Sequence, residues 1–393
     1  MRALAVAAWM CLALGCDARP EGADAGGPAS DAGVMDAASG DAGLPTDASM
    51  DASADAGLAP GDAGLDAAGP AGCACPALPP SCVPPTPLAP AFAPDATDIG
   101  AQLLSVVACA ESRLRIAVYE ASWECLRVAL QGALDRDPDL VLEIVVDDRE
   151  CPTGTCFVDG LTPADRVTVR RDDRTGLMHH KFAIADESWV WVGSTNFTAR
   201  SFCTDLNDSL AIDDPVIIGR YGEVFDRMFD GEFGPVAPEG ATESGPYAVW
   251  FSPESPTSAP AAWLTAMIAA IGEATTSVDV LIFAWTRTEI ADALIAAAAR
   301  GVEVRAIVAG SYADDPPAQA LLAAGIDVRV ASVHSKVMIL DAATVVTGSA
   351  NWSENAWSND ENSLWVTDDG VAGAYLARFE EVWGTATAAT PAP

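Results

Sequence analysis

The chain has 393 residues, half of them hydrophobic, and its 56 acidic residues against 21 lysines and arginines give a formal net charge of −35. An acidic excess of this size repels polyanions, which argues against a protein that binds nucleic acid through a broad basic surface. The length is sufficient for more than one domain.

The first 16 residues are typical of an export signal. Arg2 precedes an apolar run that ends at Leu14, and a small residue stands before Cys16. The run is too short for a permanent membrane span, which needs about 20 apolar residues. The tripeptide before and including Cys16, Leu-Gly-Cys, resembles a bacterial lipoprotein cleavage box, although Ala13 stands where Leu is usual. We expect an exported protein, either anchored to a membrane through lipidated Cys16 or released as a periplasmic or secreted protein.

Residues 17–90 are predicted to be a disordered acidic linker. They consist almost wholly of Ala, Asp, Gly, Pro and Ser, so they cannot bury enough apolar surface to offset the entropy of ordering. Repeated Asp-Ala pairs place like charges along the segment, and like charges extend a linker. If Cys16 is anchored, this linker holds the folded part off the membrane.

Eight cysteines lie beyond the signal, three near the end of the linker and five in the first folded half: Cys73, Cys75, Cys82, Cys109, Cys125, Cys151, Cys156 and Cys203. With an export signal, this even number favours disulfides. Because both groups are odd, full pairing requires a bridge from linker to domain, and the Gly turn in residues 151–156 suits a local bridge. A zinc site at Cys73, Cys75 and Cys82 is the alternative.

The folded part reads as an internal duplication. Phe92-Ala93-Pro94 heads residues 91–245, and Phe251-Ser252-Pro253 heads residues 246–386. In each half, apolar strands alternate with helical segments, and an amphipathic helix closes the half. This pattern predicts α/β halves, each with a mixed sheet covered by helices.

Each half contains the same polar motif. His179, Lys181 and Asp186 have the spacing His-x-Lys-x4-Asp, and so do His334, Lys336 and Asp341. A Gly-Ser-x-Asn sequence follows each set and supplies four further polar side chains: Ser194, Asn196, Ser349 and Asn351. In a strand, residues i and i+2 share a face, so each His and its Lys are expected to point the same way. His180 is expected to point away.

The composition strengthens this interpretation. The chain has three histidines, all within the two motifs, and its only two lysines are Lys181 and Lys336. A pair of similar buried strands with structural histidines is the plain alternative. It does not explain why a chain that otherwise uses Arg keeps Lys only here.

By these motifs the chain is identified as a member of the phospholipase D superfamily, which carries His-x-Lys-x4-Asp twice with Gly-Ser-x-Asn downstream. The resemblance implies two pseudo-symmetric halves with the active site at their interface. It also implies that His179 is the nucleophile and His334 the general acid and base. Because both motifs lie in one chain, a monomer is sufficient.

The residue types fit displacement at phosphorus. Lys181 and Lys336 can stabilise charge on the phosphate oxygens, and the Ser and Asn side chains can add neutral hydrogen bonds. One imidazole forms a phosphohistidine while the other protonates the leaving alcohol. Asp186 and Asp341 belong to the catalytic motif but are expected to brace the turn. No cluster with metal-ligand spacing accompanies the motifs, so neither a metal nor a cofactor is expected.

Each imidazole needs a group to fix its tautomer. In the family a carboxylate after Gly-Ser-x-Asn does this, and Glu361 fits for the second half. In the first half Asn207 aligns with Glu361, so Asp208 or Asp205 is the expected orienting carboxylate.

The substrate is less clear, because the superfamily includes phospholipases, nucleases and phospholipid synthases. Residues 91–393 carry a formal charge of about −26, because the linker holds eleven acids and one Arg and Arg2 adds one positive charge. One basic cluster, Arg166, Arg170, Arg171 and Arg174, could form a positive mouth or be a solvated strand and loop. Trp285, Trp352 and Trp357 are candidates to hold a choline ammonium.

We therefore expect a phospholipase D that acts on a phospholipid substrate, phosphatidylcholine or phosphatidylethanolamine, and does not bind nucleic acid, because the acidic charge repels both anionic lipid and nucleic acid. An endonuclease or other phosphodiesterase using the same residues is the first alternative. A catalytically inert binding module is the second.

Overall fold

The computed structural model describes residues 73–235, 240–255 and 260–392. The predicted signal with Cys16, and the linker up to residue 72, lie outside the described residues.

The first half is built on a seven-stranded mixed sheet with the order β1-β7-β6-β5-β2-β3-β4. Its strands are β1 Ala91–Phe92, β2 Arg113–Val118, β3 Val141–Val146, β4 Val167–Arg171, β5 Lys181–Ala185, β6 Trp189–Gly193 and β7 Asp208–Ile212. Strands β2, β3 and β4 run parallel to one another. The pairs from β2 through β5, β6 and β7 to β1 are antiparallel.

The second half is built on a nine-stranded sheet with the order β16-β12-β11-β10-β13-β14-β15-β9-β8. Its strands are β8 Thr242–Ser244, β9 Tyr247–Ser252, β10 Ser277–Ile282, β11 Glu303–Ala309, β12 Asp327–Ala331, β13 Lys336–Leu340, β14 Thr344–Gly348, β15 Glu361–Thr367 and β16 Thr387–Ala388. Seven of these strands repeat the order and directions of the first sheet, which confirms the predicted duplication.

Helices cover both sheets. They are α1 Ala101–Ala108, α2 Glu124–Arg136, α3 Ala199–Cys203, α4 Pro215–Phe229, α5 Ala262–Glu273, α6 Thr288–Ala299, α7 Pro316–Ala323 and α8 Asp369–Thr385. The closing helices α4 and α8 begin at aspartate caps, because Asp214 and Asp368 each accept two main-chain N–H groups of the first turn. Pro215 occupies the first helical position, where its missing N–H costs nothing.

Three apolar cores hold these layers together. One lies under α1 and α2, one under α5, α6 and α7, and a central one combines α4 and α8 with residues of both sheets. Strand β5 shows how the sequence builds two cores at once: Phe182 and Ile184 enter the central core, while Ala183 and Ala185 enter the outer one. A strand buried on both faces reads as an uninterrupted apolar run, as these motif strands do.

Four disulfides pair all eight cysteines expected to bridge. Three join the end of the predicted linker to the first half, Cys73–Cys203, Cys75–Cys125 and Cys82–Cys109, and the fourth is the local bridge Cys151–Cys156. Three bridges therefore confirm the expected link between linker and domain. The zinc alternative is wrong, because Cys73, Cys75 and Cys82 are all in disulfides. The disordered linker was also predicted too long, since its last part, from Cys73 to residue 90, is fastened to the domain.

Within the described part of the chain, no helix has the length and apolar character needed to cross a membrane.

Mass mapping of unreduced protein should recover these four linkages and no free thiol among the eight cysteines. Replacing both members of the Cys75–Cys125 pair by serine should lower the free energy of unfolding by roughly 2–4 kcal/mol, because the unfolded chain regains the entropy of an open loop. Denaturant unfolding of wild type and variant measures the change. Recovery of several unpaired cysteines from exported protein would contradict the assignment.

Candidate active site

Main-chain bridges between the halves bring each motif against the other half. Met178 pairs with Asp360 and Leu206 pairs with Val333, both in parallel bridges. The next residue along, His179, donates its N–H to the Asp360 carbonyl at 3.0 Å, and His334 donates to the Leu206 carbonyl at 2.9 Å. Each histidine therefore lies beside the segment that follows the Gly-Ser-x-Asn sequence of the opposite half.

His179 is fully buried, and its Nδ1 lies 2.8 Å from a carboxylate oxygen of Glu361. A carboxylate accepts, so Nδ1 carries the proton and Nε2 is left as the reactive nitrogen. Glu361 was expected to serve the second half. The structure corrects this, because the crossed bridge between the halves gives Glu361 to the first-half histidine.

His334 is held by an amide. Its Nδ1 lies 2.8 Å from Oδ1 of Asn207, whose Nδ2 donates to the Ser201 carbonyl at 3.1 Å. The hydrogen bond to Ser201 fixes the orientation of the amide, with Oδ1 of Asn207 toward His334. Nδ1 of His334 therefore donates to this oxygen, and Nε2 is left as the reactive nitrogen, as in His179. Alignment of the two halves already placed Asn207 opposite Glu361. Asn207 has no charge, so a pattern of carboxylates does not reveal it.

Asp208 does not orient a histidine, so the expectation for it was wrong. Its buried carboxylate accepts hydrogen bonds from the Ser194 hydroxyl at 2.9 Å, the Tyr375 hydroxyl at 2.8 Å and the Thr347 hydroxyl. The physical reason is that Asn207, one residue earlier, already occupies the position against His334, while the carboxylate of Asp208 is held by hydroxyl groups of the second half. Asp205 is buried and is paired with the exposed Arg200.

The two lysines occupy equivalent buried positions. Lys181 Nζ donates to the carbonyl of His179, and Lys336 Nζ to that of His334, both at 2.8 Å. Lys336 Nζ also lies 3.5 Å from Nε2 of His334. Positive charge is therefore placed next to the nitrogen that would meet a phosphate.

In both Gly-Ser-x-Asn sequences, the serine and the asparagine have different roles. Ser194 Oγ lies 2.9 Å from oxygens of both Asn207 and Asp208, which share its single proton, and Ser349 Oγ accepts from the main chain of Asn362 at 2.9 Å, so both serines hold protein groups. The Oδ1 atoms of Asn196 and Asn351 are buried and accept no hydrogen bond from the residues that the structure describes. Contact with substrate stays a prediction for all four side chains, and the asparagines are better placed for it.

The glycines of these sequences allow the approach of the next strand. A Cβ on Gly193 would stand 2.1 Å from the Asp208 carbonyl oxygen, and one on Gly348 would stand 2.5 Å from that of Asn362. Gly348 also has φ +127°, which side chains disfavour. Any larger residue would push away the strand that carries each histidine's partner.

Asp186 and Asp341 brace turns, as the sequence predicted. Each has a positive φ, and each carboxylate accepts main-chain N–H groups at the start of a strand, β2 for Asp186 and β10 for Asp341. Partial burial acts to raise the pKa of Asp186, but hydrogen bonds from the Ser112 hydroxyl and the amides of residues 111–113 outweigh it and lower the pKa. Amides of residues 275–277 lower the pKa of Asp341 in the same way, against the effect of burial.

The basic cluster before His179 is not a free positive mouth. Arg166, Arg170 and Arg171 donate to main-chain carbonyls, of Leu134, Phe229 and Cys151 respectively. Arg174 is paired with the buried Asp360. These guanidinium groups fasten loops and helix ends. Arg174 is neutralised by Asp360, whereas Arg170 remains exposed to solvent.

The three tryptophans considered for choline binding do not form a cage. Trp285 and Trp352 are each 1% exposed and pack edge to face in the second-half core. The Arg287 guanidinium lies 4.1 Å from the ring centre of Trp357 and covers that ring.

Comparison with known proteins agrees with this geometry. The family model described as "Cardiolipin synthase, PLD-like domain" matches residues 103–229 and again residues 267–383. The mitochondrial cardiolipin hydrolase of Xenopus laevis is 32% identical over 134 residues, which is 34% of this chain and 62% of that protein. The human protein of the same name is 32% identical over 127 residues, 30% of this chain and 50% of that protein. The chain thus spans only half to three fifths of these relatives.

A solved structure covers more of the chain. The phosphatidylserine synthase of Haemophilus influenzae superposes with a TM-score of 0.58 over 76% of this chain and 87% of that one, at 12% identity. At this identity the match shows the fold alone, which is the predicted pair of α/β halves.

His180 gives a pH test of the described packing. Full burial, with the charges of Lys181 and Arg227 adding to it, lowers the pKa of His180 well below its ordinary value, and Nδ1 accepts from Asn362 at 3.2 Å. Below about pH 6.5, His180 binds a proton in the unfolded chain but stays neutral in the folded chain. The free energy of unfolding should therefore decrease as the pH falls through that value. In His180→Asn, which keeps an acceptor, this slope should be shallower by up to about 1.4 kcal/mol per pH unit.

Urea unfolding of wild type and His180→Asn at a series of pH values measures both slopes. Identical slopes would mean that folding leaves the pKa of His180 unchanged, which would contradict its described burial.

Proposed function

Because the chain belongs to the family described as cardiolipin synthase, PLD-like domain, we propose that it is a phosphodiesterase that hydrolyses phospholipids to phosphatidate and a free head-group alcohol. The observation that carries this proposal is the pair of imidazoles at one interface, each with its Nδ1 hydrogen-bonded across the halves. Glu361 holds one at 2.8 Å and Asn207 holds the other at 2.8 Å. Catalytically inert packing would not require both tautomers to be fixed in this way.

The unequal partners support the division of labour between the histidines. When Nε2 of His179 bonds to phosphorus, its ring becomes positively charged, and the Glu361 carboxylate stabilises that charge. Asn207 is neutral and stabilises the His334 imidazolium less, so His334 is better suited to give up its proton. We assign His179 as nucleophile and His334 as general acid and base.

The reaction then has two balanced steps. In the first, Nε2 of His179 bonds to phosphorus, the bond from phosphorus to the head-group oxygen breaks, and that oxygen takes the proton from Nε2 of His334. In the second, His334 removes a proton from water, the water oxygen bonds to phosphorus, and the bond to His179 breaks. Lys181 and Lys336 stabilise the charge on the non-bridging oxygens throughout.

A lipid substrate fits the charges better than DNA. The folded part is strongly acidic, and the four arginines nearest the motif are engaged with protein groups. Duplex binding draws on many phosphate contacts, which such a surface does not offer. Cardiolipin becomes the first substrate to test because the curated relatives are named cardiolipin hydrolases. The three candidate tryptophans do not form a cage, which argues against a choline lipid as the substrate.

Export also remains part of the proposal. Four disulfides persist most readily in an oxidising compartment, which supports a location outside the cytoplasm. Anchoring through Cys16 would place the site near a lipid surface.

His179→Ala and His334→Ala should each lower kcat by at least about 10³-fold, because each removes a group that forms or breaks bonds. His180→Asn serves as the matched control and should keep most of the activity, since residue 180 packs away from the lysine. Acid quench with phosphorus-labelled substrate should leave the label on His179. Label on His334 would reverse the roles, and full activity in His334→Ala would falsify the two-histidine scheme.

Side-by-side assays on cardiolipin, phosphatidylethanolamine, phosphatidylcholine and duplex DNA test the substrate. We expect phosphatidate release from lipid, fastest from cardiolipin, with DNA cleavage weak or absent at physiological salt because the acidic surface repels the duplex. If DNA is cleaved much faster than lipid, and this cleavage depends on His179, the nuclease alternative would replace the lipase proposal.

A further inference from the structure

A second polar cluster lies next to the site but takes no part in the proposed reaction. Asp147 follows β3, Asp148 is its neighbour, and Asp172 follows β4. One carboxylate oxygen from each lies within 4.8 Å of the others. Asp147 is 1% exposed and Asp172 3% exposed, whereas Asp148 reaches solvent.

The hydrogen bonds to the buried pair come from neutral main-chain amides. Asp172 Oδ1 accepts from the amide of Asp148 at 2.9 Å, and Asp147 accepts from those of Arg149 and Met178, both at 3.1 Å. The second oxygen of Asp172 is buried and accepts no hydrogen bond from the described residues. Amides satisfy lone pairs without cancelling charge. Burial raises the pKa of both Asp147 and Asp172; the charge of Arg149 lowers that of Asp147, whereas the charges of Asp147, Asp148 and Asp360 raise that of Asp172 further. A bound cation would relieve this repulsion between buried carboxylates.

The duplicated half shows that the fold does not need carboxylates here. The strand registers make Asp147 and Asp172 equivalent to Ala309 and Ala331, which pair directly at the ends of β11 and β12. The same sheet edge is built there with two methyl groups. Asp147 and Asp172 are therefore not needed to form this edge of the sheet.

We propose that Asp147, Asp148 and Asp172 form a binding site for a hard divalent cation, Ca²⁺ or Mg²⁺. All three donors are carboxylates, the ligand type that these cations prefer. Exposed Asp148 offers an entry path, and the unused buried oxygen of Asp172 supplies a ligand atom that the protein otherwise leaves unsatisfied.

A proton is the competitor for this position. Burial and the neighbouring charge of Asp147 raise the pKa of Asp172 to about 7.

The site would stabilise the segment that leads into the motif. Asp147 accepts the N–H of Met178, the residue before His179, and Met178 in turn pairs with Asp360 of the other half. A cation that neutralises Asp147 and Asp172 would relieve their repulsion at the end of β3 and β4. Its effect is on stability, because none of the three carboxylates is assigned to the reacting groups.

The test uses the full chain, first treated with chelator and then titrated with CaCl₂ or MgCl₂ in a calorimeter and in thermal unfolding. At about pH 8, where the raised carboxyl is ionised, one cation should bind per chain and raise the Tm by about 2–4 °C. Asp172→Asn keeps the acceptor for the Asp148 amide and should lose both effects. Asp173→Asn removes the same charge one residue away and should behave as wild type.

Asp148→Asn provides a second variant on an exposed side chain, and it should weaken cation binding without affecting folding. A wild-type Tm that responds to pH near 7 but to neither cation would mean that the pair holds a proton, and the proposal would be wrong. An equal cation response in wild type, Asp172→Asn and Asp173→Asn would show diffuse binding to an acidic surface and would equally overturn it.

Lipid hydrolysis measured in the same chelator-treated samples separates this proposal from the proposed function. Turnover should survive removal of the cation, because lysines carry the charge in the site. If turnover is lost and returns only with added cation, the metal-independent mechanism fails even though the cation site stands.

Discussion

The hydrogen bond between His179 and Glu361 joins residues 182 positions apart, and the bond between His334 and Asn207 spans 127 positions in the opposite direction. Neither pair can form unless both halves are folded and docked. The bridges at Met178 and Leu206 set the docking, and the central core of α4, α8 and both sheets holds it. Reactivity of the two imidazoles is therefore tied to the stability of the interface.

Burial is what makes this arrangement demanding. Two lysines, two histidines and Glu361 are almost wholly removed from solvent, so each must meet a partner placed by the fold. The main-chain carbonyls of the two histidines accept hydrogen bonds from the lysines. Glu361 and Asn207, each from the opposite half, accept from the imidazoles. Asp208, Thr347 and Tyr375 form a separate buried set. Burial and the adjacent Asp208 raise the pKa of Tyr375, so its hydroxyl remains a donor.

The two halves share seven corresponding strands, and they differ at the residues around the site. Glu361 occupies the position in the second half that Asn207 occupies in the first, so one histidine has a charged partner and the other a neutral one. Asp147 and Asp172 stand where the second half has alanines, which supports a cation site in one half only. The disulfides are also confined to the first half and the segment before it.

The sequence by itself determined the duplication, the two motifs, the alternation of strands and helices, and the need for a bridge between linker and domain. These follow from local spacing, composition and parity, which a chain displays without folding. Which residue faces which histidine was decided only by tertiary structure, because a crossed contact between halves leaves no local pattern. For the same reason the spacing could not reveal that Asp147 and Asp172 meet, that Asn207 replaces a carboxylate, or that the arginines before His179 are already engaged. Each depends on where two distant strand ends come to lie.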